Sequence, residues 1–268
     1  MGSHYIIKEE TLTNIADNIR EKLGTEDFYS PNDMASGVDE VYNAGKKSEY
    51  DAFWDKFQQN GQRTQYNYAF GGLGWTMDTF KPKYDIEAVN VGSMFYQTGI
   101  TDLEAALNNA GVKFDTSKVT NFPSTFYYSD LTVIPELDCR GCANTASPFA
   151  SMFNYSDIHT IRKLILPSNG IQEFSNTFSN CKLLQKITIE GVIGRNISFA
   201  SCSQLETRSL FSIIQHLKDY SEDADNKGKY TITLHDSSKA LLARQGATSV
   251  FDGKTYDAYI ADIGWNLA

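Results

Sequence analysis

Histidine, cysteine and proline are scarce in this chain of 268 residues, at four, four and six copies. So few cysteines do not make a disulfide scaffold. Two of them form an isolated C-x-x-C, Asp138-Cys139-Arg140-Gly141-Cys142. A tetrahedral zinc site needs two further ligands, and neither Cys181 nor Cys202 has a histidine beside it. No strand-helix redox pattern surrounds the pair either, so all four thiols are expected to be buried or to sit in loops, with no metal and no cofactor. No apolar run approaches the roughly 18 residues that span a bilayer, so membrane insertion is not expected. No Lys/Arg block interrupts a chain of formal net charge -9, so nucleic acid is not expected as a partner. A secretory signal is expected to be absent, because Tyr5-Ile6-Ile7 leads directly into Lys8-Glu9-Glu10. Met1-Gly2-Ser3-His4 resembles a vector remnant in place of the natural start.

Catalytic signatures are missing too. His159 has no serine or cysteine elbow nearby, and His4, His216 and His235 are equally unsupported. Gly71-Gly72-Leu73-Gly74 lacks the strand-to-helix setting of a phosphate loop. Asp223-Ala224-Asp225-Asn226-Lys227-Gly228 departs from a calcium loop: Lys227 stands at the fifth ligand place and Leu234 at the twelfth, where a bidentate glutamate is needed. Asn154-Tyr155-Ser156 and Asn196-Ile197-Ser198 match a glycosylation acceptor but read as turn residues. The expectation is a protein that binds or builds and does not catalyse.

Aromatic residues are abundant, with 15 Tyr and 16 Phe. Near the start, Leu12, Ile15, Ala16, Ile19 and Leu23 keep the spacing of one helical face, closed by Gly24. Ser30-Pro31-Asn32-Asp33 then supplies a cap, a first-turn proline and a charge suited to the helix dipole. A third helix places Tyr50, Phe53, Trp54 and Phe57 on one face. Residues 1-62 thus form a helical module, expected to serve as an anchor. Its aromatic face is either internal packing or a docking face for a partner, which helical spacing alone does not separate.

The strongest signal is self-similarity. Phe70, Phe95, Phe126, Phe153, Phe178 and Phe199 recur 25, 31, 27, 25 and 21 residues apart. Tyr66, Val91, Phe122, Phe149 and Phe174 lie four residues before them, with Arg195 the exception. Ser93, Ser124, Ser151 and Asn176 lie two before, and Thr98, Ser129, Ser156, Cys181 and Cys202 three after. Trp75, Ile100, Leu131, Ile158 and Leu183 lie five after, with Leu205 one place late. Such columns describe a stack of coils in which like packs on like, each coil holding a single helical turn and a short strand. Lys186-Ile187-Thr188-Ile189 alternates like that strand, and Ile161/Leu164 and Ile134/Leu137 occupy the same place earlier. Cys181 and Cys202 are then core rungs.

Phe114-Asp115-Thr116-Ser117-Lys118-Val119-Thr120-Asn121-Phe122, running to Thr125-Phe126, resembles the F-D-T-S-x-V-T core of the BspA-type leucine-rich repeats. Asn176-Thr177-Phe178-Ser179-Asn180-Cys181-Lys182-Leu183 resembles the F-x-x-C-x-x-L core of the same family. The resemblance implies an α/β leucine-rich-repeat solenoid with a parallel sheet over residues 63-217, in proteins that bind. Beyond it, residues 218-268 read as an αβ cap: a Tyr230-Thr231-Ile232-Thr233-Leu234 strand, a helix over 237-244, and a closing Gly264-Trp265-Asn266-Leu267-Ala268. That ending resembles the closing segment of repeat proteins encoded by gut bacteria and their prophages. Residues 7-24, 30-34 and 50-61 resemble the leader module of tail-associated prophage proteins. Together the resemblances imply a non-enzymatic component of a phage or prophage particle, assembled in the bacterial cytoplasm. Its expected partners are other virion proteins or a host-surface protein or glycan, with homo-oligomers possible. The alternative they leave open is a bacterial cell-surface adhesin.

Overall fold

The computed structural model describes residues 51-268. The first two helices expected in the N-terminal module, and Tyr50, lie outside the described residues. Contacts divide the chain into two compact units, Met1–Asn60 and Gly61–Ala268. In the first unit residues 51-57 are helical.

The second unit is mixed α/β, with small parallel sheets in which successive segments of chain lie side by side. Strand β1 (Ile86–Glu87) pairs in parallel with β2 (Phe114–Asp115). Strands β3 (Val133–Asp138), β4 (Thr160–Ile165) and β5 (Lys186–Glu190) form a parallel sheet in that order. Strands β6 (Ile197–Phe199), β7 (Thr231–Leu234) and β8 (Asn266–Leu267) form another. Both pack their apolar side inward. In β5 the alternation is strict, Ile187 and Ile189 being buried and Lys186 and Thr188 exposed. In β3 and β4 the buried residues are three apart, Ile134/Leu137 and Ile161/Leu164, and register shifts against β5 between Ile161 and Leu164. An extra residue in a strand resets which side chains face inward.

The six phenylalanines stack ring on ring. Centroids of Phe95, Phe126, Phe153 and Phe178 follow one another at 5.5, 5.4 and 5.4 Å with planes within 21°. Phe70 leads at 5.5 Å and Phe199 follows at 4.6 Å. All six are at most 2% exposed. Beside them run Phe122, Phe149 and Phe174, and the polar column Thr98, Ser129, Ser156, Cys181 and Cys202 is buried throughout. One column shifts: Leu184, not Leu183, is the fully buried residue after Phe178, six places on like Leu205 after Phe199.

The helical turn expected around each phenylalanine is replaced by consecutive turns at the first five, while Phe199 lies in β6. Met94, Tyr96 and Thr98 donate their N–H groups three residues back, to Val91, Ser93 and Phe95. The intervening Ser93, Phe95 and Gln97 donate across to Pro123, Thr125 and Tyr127 of the next segment at 2.9, 2.8 and 3.2 Å. The same alternation recurs at Ser124, Phe126 and Tyr128, and at Ser151, Phe153 and Tyr155. The cause is a pair of left-handed residues two places either side of the phenylalanine. Tyr68/Gly72, Ser93/Gln97, Ser124/Tyr128, Ser151/Tyr155 and Asn176/Asn180 all have φ between 51° and 94°. A residue in that region cannot continue a right-handed helix, so half the N–H groups turn outward to bond the neighbouring segment.

Helix α1 (Leu103–Ala110) fills the longest interval between phenylalanines, capped by Asp102, whose carboxylate accepts from Ala105 N at 2.8 Å, and ended by left-handed Gly111. Helix α2 (Thr207–Gln215) closes the free edge of β5. Ser209 Oγ and Ser212 Oγ accept from Ile187 N and Ile189 N at 3.0 and 2.9 Å, so serine hydroxyls stand where the next strand's carbonyls would. An edge so covered offers no template for another strand.

Residues 218-268 do not form a separate body. Strands β7 and β8 extend the sheet begun by β6, around α3 (Asp236–Ala243) and α4 (Tyr256–Asp262). Trp265 Nε1 donates to Lys218 O at 2.7 Å, and Tyr220 OH to Gly194 O at 2.7 Å. Arg195, the exception in its column, lies 4.8 Å over the Tyr230 ring and donates to Gly194 O.

Candidate binding surface

The repeat carries a second aromatic series, on its outside. Tyr96 and Tyr127 directly follow their phenylalanines, while Tyr128 and Tyr155 come one residue later and Tyr68 precedes Phe70 by two. In space they form one ladder along the turn side. Tyr68 meets Tyr96 edge-on at 6.4 Å, and Tyr96 stacks on Tyr127 at 5.6 Å with planes 4° apart. Tyr127 touches Tyr128 at 5.6 Å, and Tyr128 stacks on Tyr155 at 5.2 Å. Tyr68, Tyr128 and Tyr155 are 68%, 50% and 49% exposed, while Tyr96 and Tyr127 are half-buried. The ladder thus joins four successive segments of the repeat.

Three of these rings sit on strained backbone. Tyr68, Tyr128 and Tyr155 have φ of 53°, 57° and 58°. For a bulky residue the left-handed region costs about 1–2 kcal/mol, and equivalent places elsewhere hold Gly72 and Asn180, which enter it more cheaply. Left-handed residues stand two places either side of each of the first five phenylalanines as part of the turn itself, Ser93, Gln97, Ser124 and Ser151 among them, and at three of these places the residue is a tyrosine with an exposed ring.

The opposite, sheet side is electrostatically closed on itself. Lys163 bridges Glu136 at 3.3 Å and Glu190 at 3.0 Å across all three strands, and both carboxylates raise the pKa of its ammonium. Arg162 pairs with Glu104 at 2.8 Å and Lys186 with Glu206 at 3.7 Å. Arg140 holds Asp138 at 2.6 Å and keeps its carboxyl below the usual range. Asp130 and Asp157, each two residues after an exposed tyrosine in the chain, are exposed, and neither has a cationic partner among the described residues.

The remaining residues singled out by the sequence resolve as follows. Phe53, Trp54 and Phe57 contact one another at 5.4–5.6 Å. Trp54 is 1% exposed, whereas Phe53 projects at 43%. The four thiols are all free and buried. Cys139 stands at the start of a short 3-10 helix (Arg140–Asn144) that contains Cys142, whose Sγ donates to Val119 O at 3.6 Å. Cys181 Sγ donates to Phe153 O at 2.9 Å, and Cys202 lies one segment on. Burial pushes Cys142 and Cys181 up to about 12, and Cys139 and Cys202 up as well, so neutral thiols persist at any physiological pH. Since the thiolate is the reactive form, an aromatic disulfide reagent at pH 8 is expected to titrate no thiol in the folded protein and all four once it is denatured. Rapid native labelling of Cys139 or Cys142 would contradict their burial.

His159 lends its carbonyl to Gln185 N and Lys186 N, and His235 Nδ1 accepts from Ser237 N to cap α3. His216 Nδ1 lies 2.7 Å from Ser212 O. Asp223 takes Asn226 Nδ2 and Asp225 N into a turn. Asn196 Oδ1 accepts from Thr231 N, a structural bond. Among the described residues no group of three metal-ligating side chains occurs, and no helix is long and apolar enough to cross a membrane. Compared with known proteins, the chain matches no family model, no curated sequence and no solved structure.

Proposed function

We propose that this chain is a non-enzymatic binding protein whose tyrosine ladder is its contact surface. The observation that carries the reading is the ladder itself: five rings in mutual contact along four segments, three of them held out on left-handed backbone. Tyrosines of this kind supply rigid amphipathic contact area at low entropic cost. The repeated column of stacked phenylalanines supports the finer reading of a leucine-rich-repeat solenoid of the BspA type, its helical turns replaced by bonded turns. The resemblance of residues 7-24, 30-34 and 50-61 to tail-associated modules supports a place on a phage or prophage particle, with residues 1-62 as the anchor and the repeats contacting the host surface or another virion protein.

The double variant Tyr128→Asn/Tyr155→Asn separates binding from folding. Asparagine accepts the left-handed region more readily than tyrosine, so the unfolding midpoint is expected to hold or rise slightly while binding to host-cell envelopes falls at least about tenfold. Unchanged binding by the double variant sinks the ladder as contact surface. Antibody labelling of intact particles tests the location: a signal on the tail supports it, and a signal only on the bacterial envelope favours the adhesin.

A further inference from the structure

The ion pairs of the sheet side account for every cation on β4, β5 and the first turn of α2 except one. Arg208 is exposed and has no carboxylate partner among the described residues. We propose that Arg208 belongs to a binding groove for a small carboxylate ligand, on the sheet side and independent of the tyrosine ladder.

The groove measures about 330 Å³ and draws its lining from three elements. Strand β4 contributes Thr160 and Arg162, β5 contributes Lys186 and Thr188, and the start of α2 contributes Glu206 and Arg208. The fold brings them together. Parallel pairing sets Thr160 against Lys186 and Ile161 against Ile187. Ser209 then ties α2 to β5 by accepting from Ile187 N at 3.0 Å. Ile161 and Ile187 are buried, so the residues next to them in each strand face the groove.

The lining is rich in donors and poor in acceptors. Arg162 reaches Glu104 through Nε alone, at 2.8 Å, and its two terminal amino groups meet no acceptor among the described residues. Lys186 stands 3.7 Å from Glu206, beyond hydrogen-bond reach. Thr160 and Thr188 add hydroxyls, and Glu206 is the one carboxylate of the lining. A ligand that fills the groove has to supply acceptors. Stability does not explain Arg208, since the helix dipole favours acids over cations in a first turn. That turn holds no acidic residue, and Glu206, at the cap position, makes no bond to the helix backbone and stands instead against Lys186.

Charge decides between the oxyanions. Arg162, Lys186 and Arg208 are set against Glu104 and Glu206, which leaves one positive charge over. A carboxylate brings one negative charge and pairs with a guanidinium through two parallel bonds. A phosphate monoester brings about 1.5–2 at pH 7, more than the groove balances, and a chain of net charge -9 repels it further. The volume lies at the small end of ligand sites, which suits a single sugar acid or an acylated amino acid.

The test titrates the full chain, by ligand-observed NMR, with D-glucuronate, N-acetylalanine and inorganic phosphate. D-glucuronamide and N-acetylalaninamide serve as neutral controls. At least one carboxylate is expected to bind, more tightly than its own amide and than phosphate. Either carboxylate supports the groove: preference for glucuronate assigns an acidic sugar, and preference for N-acetylalanine a peptide terminus. Arg208→Gln is expected to weaken binding about tenfold. Glu206→Gln is expected to tighten it about threefold, because it removes the competing carboxylate and frees Lys186. Effects of opposite sign at two exposed positions do not arise from lost structure. Tyr128→Asn/Tyr155→Asn is expected to bind the carboxylate as the parent does. Failure of both carboxylates to bind, an amide or phosphate bound as tightly, or an Arg208→Gln variant equal to the parent overturns the site. Loss of carboxylate binding in the tyrosine variant overturns it as well, by moving the contact to the ladder.

Discussion

Phe153→Ala is expected to destabilise the protein by about 3–5 kcal/mol, the usual cost of emptying a buried aromatic site. Phe153 is fully buried, with Phe126 5.4 Å away on one face and Phe178 5.4 Å away on the other. Removing the ring deletes two stacking contacts at once, each worth about 0.5–1.5 kcal/mol beyond area burial. Collapse around the hole is restricted, because the backbone on both sides is tied: Phe126 N to Met152 O at 2.8 Å and Phe153 N to Thr177 O at 3.0 Å. Phe153→Leu keeps much of the volume and is expected to cost less than half as much. Urea denaturation provides the measurement, and a midpoint for Phe153→Ala equal to that of the parent would show that the column does not hold the repeat together.

Gly191→Ala is expected to be comparably severe, at about 3 kcal/mol, although it adds a single carbon. Two effects combine. Gly191 has φ of +85°, where an L residue costs about 1–2 kcal/mol. A Cβ there would stand 2.1 Å from Leu166 O, a backbone atom fixed because Leu166 N donates to Glu190 O at 2.9 Å. Relieving that overlap requires pulling the ends of β4 and β5 apart, in the range of about 1–3 kcal/mol for overpacking. Gly228→Ala separates the two effects, since Gly228 is also left-handed, at +71°, but has nothing within 4 Å of its added Cβ. It is expected to show the backbone cost alone. Equal losses at the two sites would mean that the close approach of Gly191 to Leu166 does not constrain the fold.

Parts of this architecture are legible along the chain for a clear reason. A buried column needs an apolar group of similar size at every pass, so the phenylalanines, and the small residues ending in Cys181 and Cys202, mark themselves. Helix α1 is marked as well, by Asp102, Leu103, Ala106, Leu107 and Gly111, but it falls within an interval between phenylalanines and outside their columns. The left-handed pairs are not marked, since serine, glutamine and tyrosine have no special preference for that region, and only Gly72, Asn176 and Asn180 hint at it. The strand side reads correctly in β5, where the period is two. The three-residue spacing of Ile134/Leu137 and Ile161/Leu164 conceals an extra residue that shows itself only against β5. The edge cover by Ser209 and Ser212 is equally silent, because a serine on a helix signals nothing until a strand lies beside it.

The tyrosine ladder is not legible along the chain. Tyr96 and Tyr127 occupy one column of the repeat, Tyr128 and Tyr155 the next, and Tyr68 a third, so no single alignment lines them up. Tyr127 and Tyr128 are adjacent in sequence, and their rings meet at 5.6 Å, joining the two columns into one surface. The amino-acid sequence by itself determined the repeat of about 25 residues and its core, because burial imposes the same demand on every segment. It also determined the aromatic richness of the chain. Only the tertiary structure decided that helical turns give way to bonded turns, and which tyrosines converge. Both depend on backbone angles and inter-segment hydrogen bonds that exist only once neighbouring segments lie against each other.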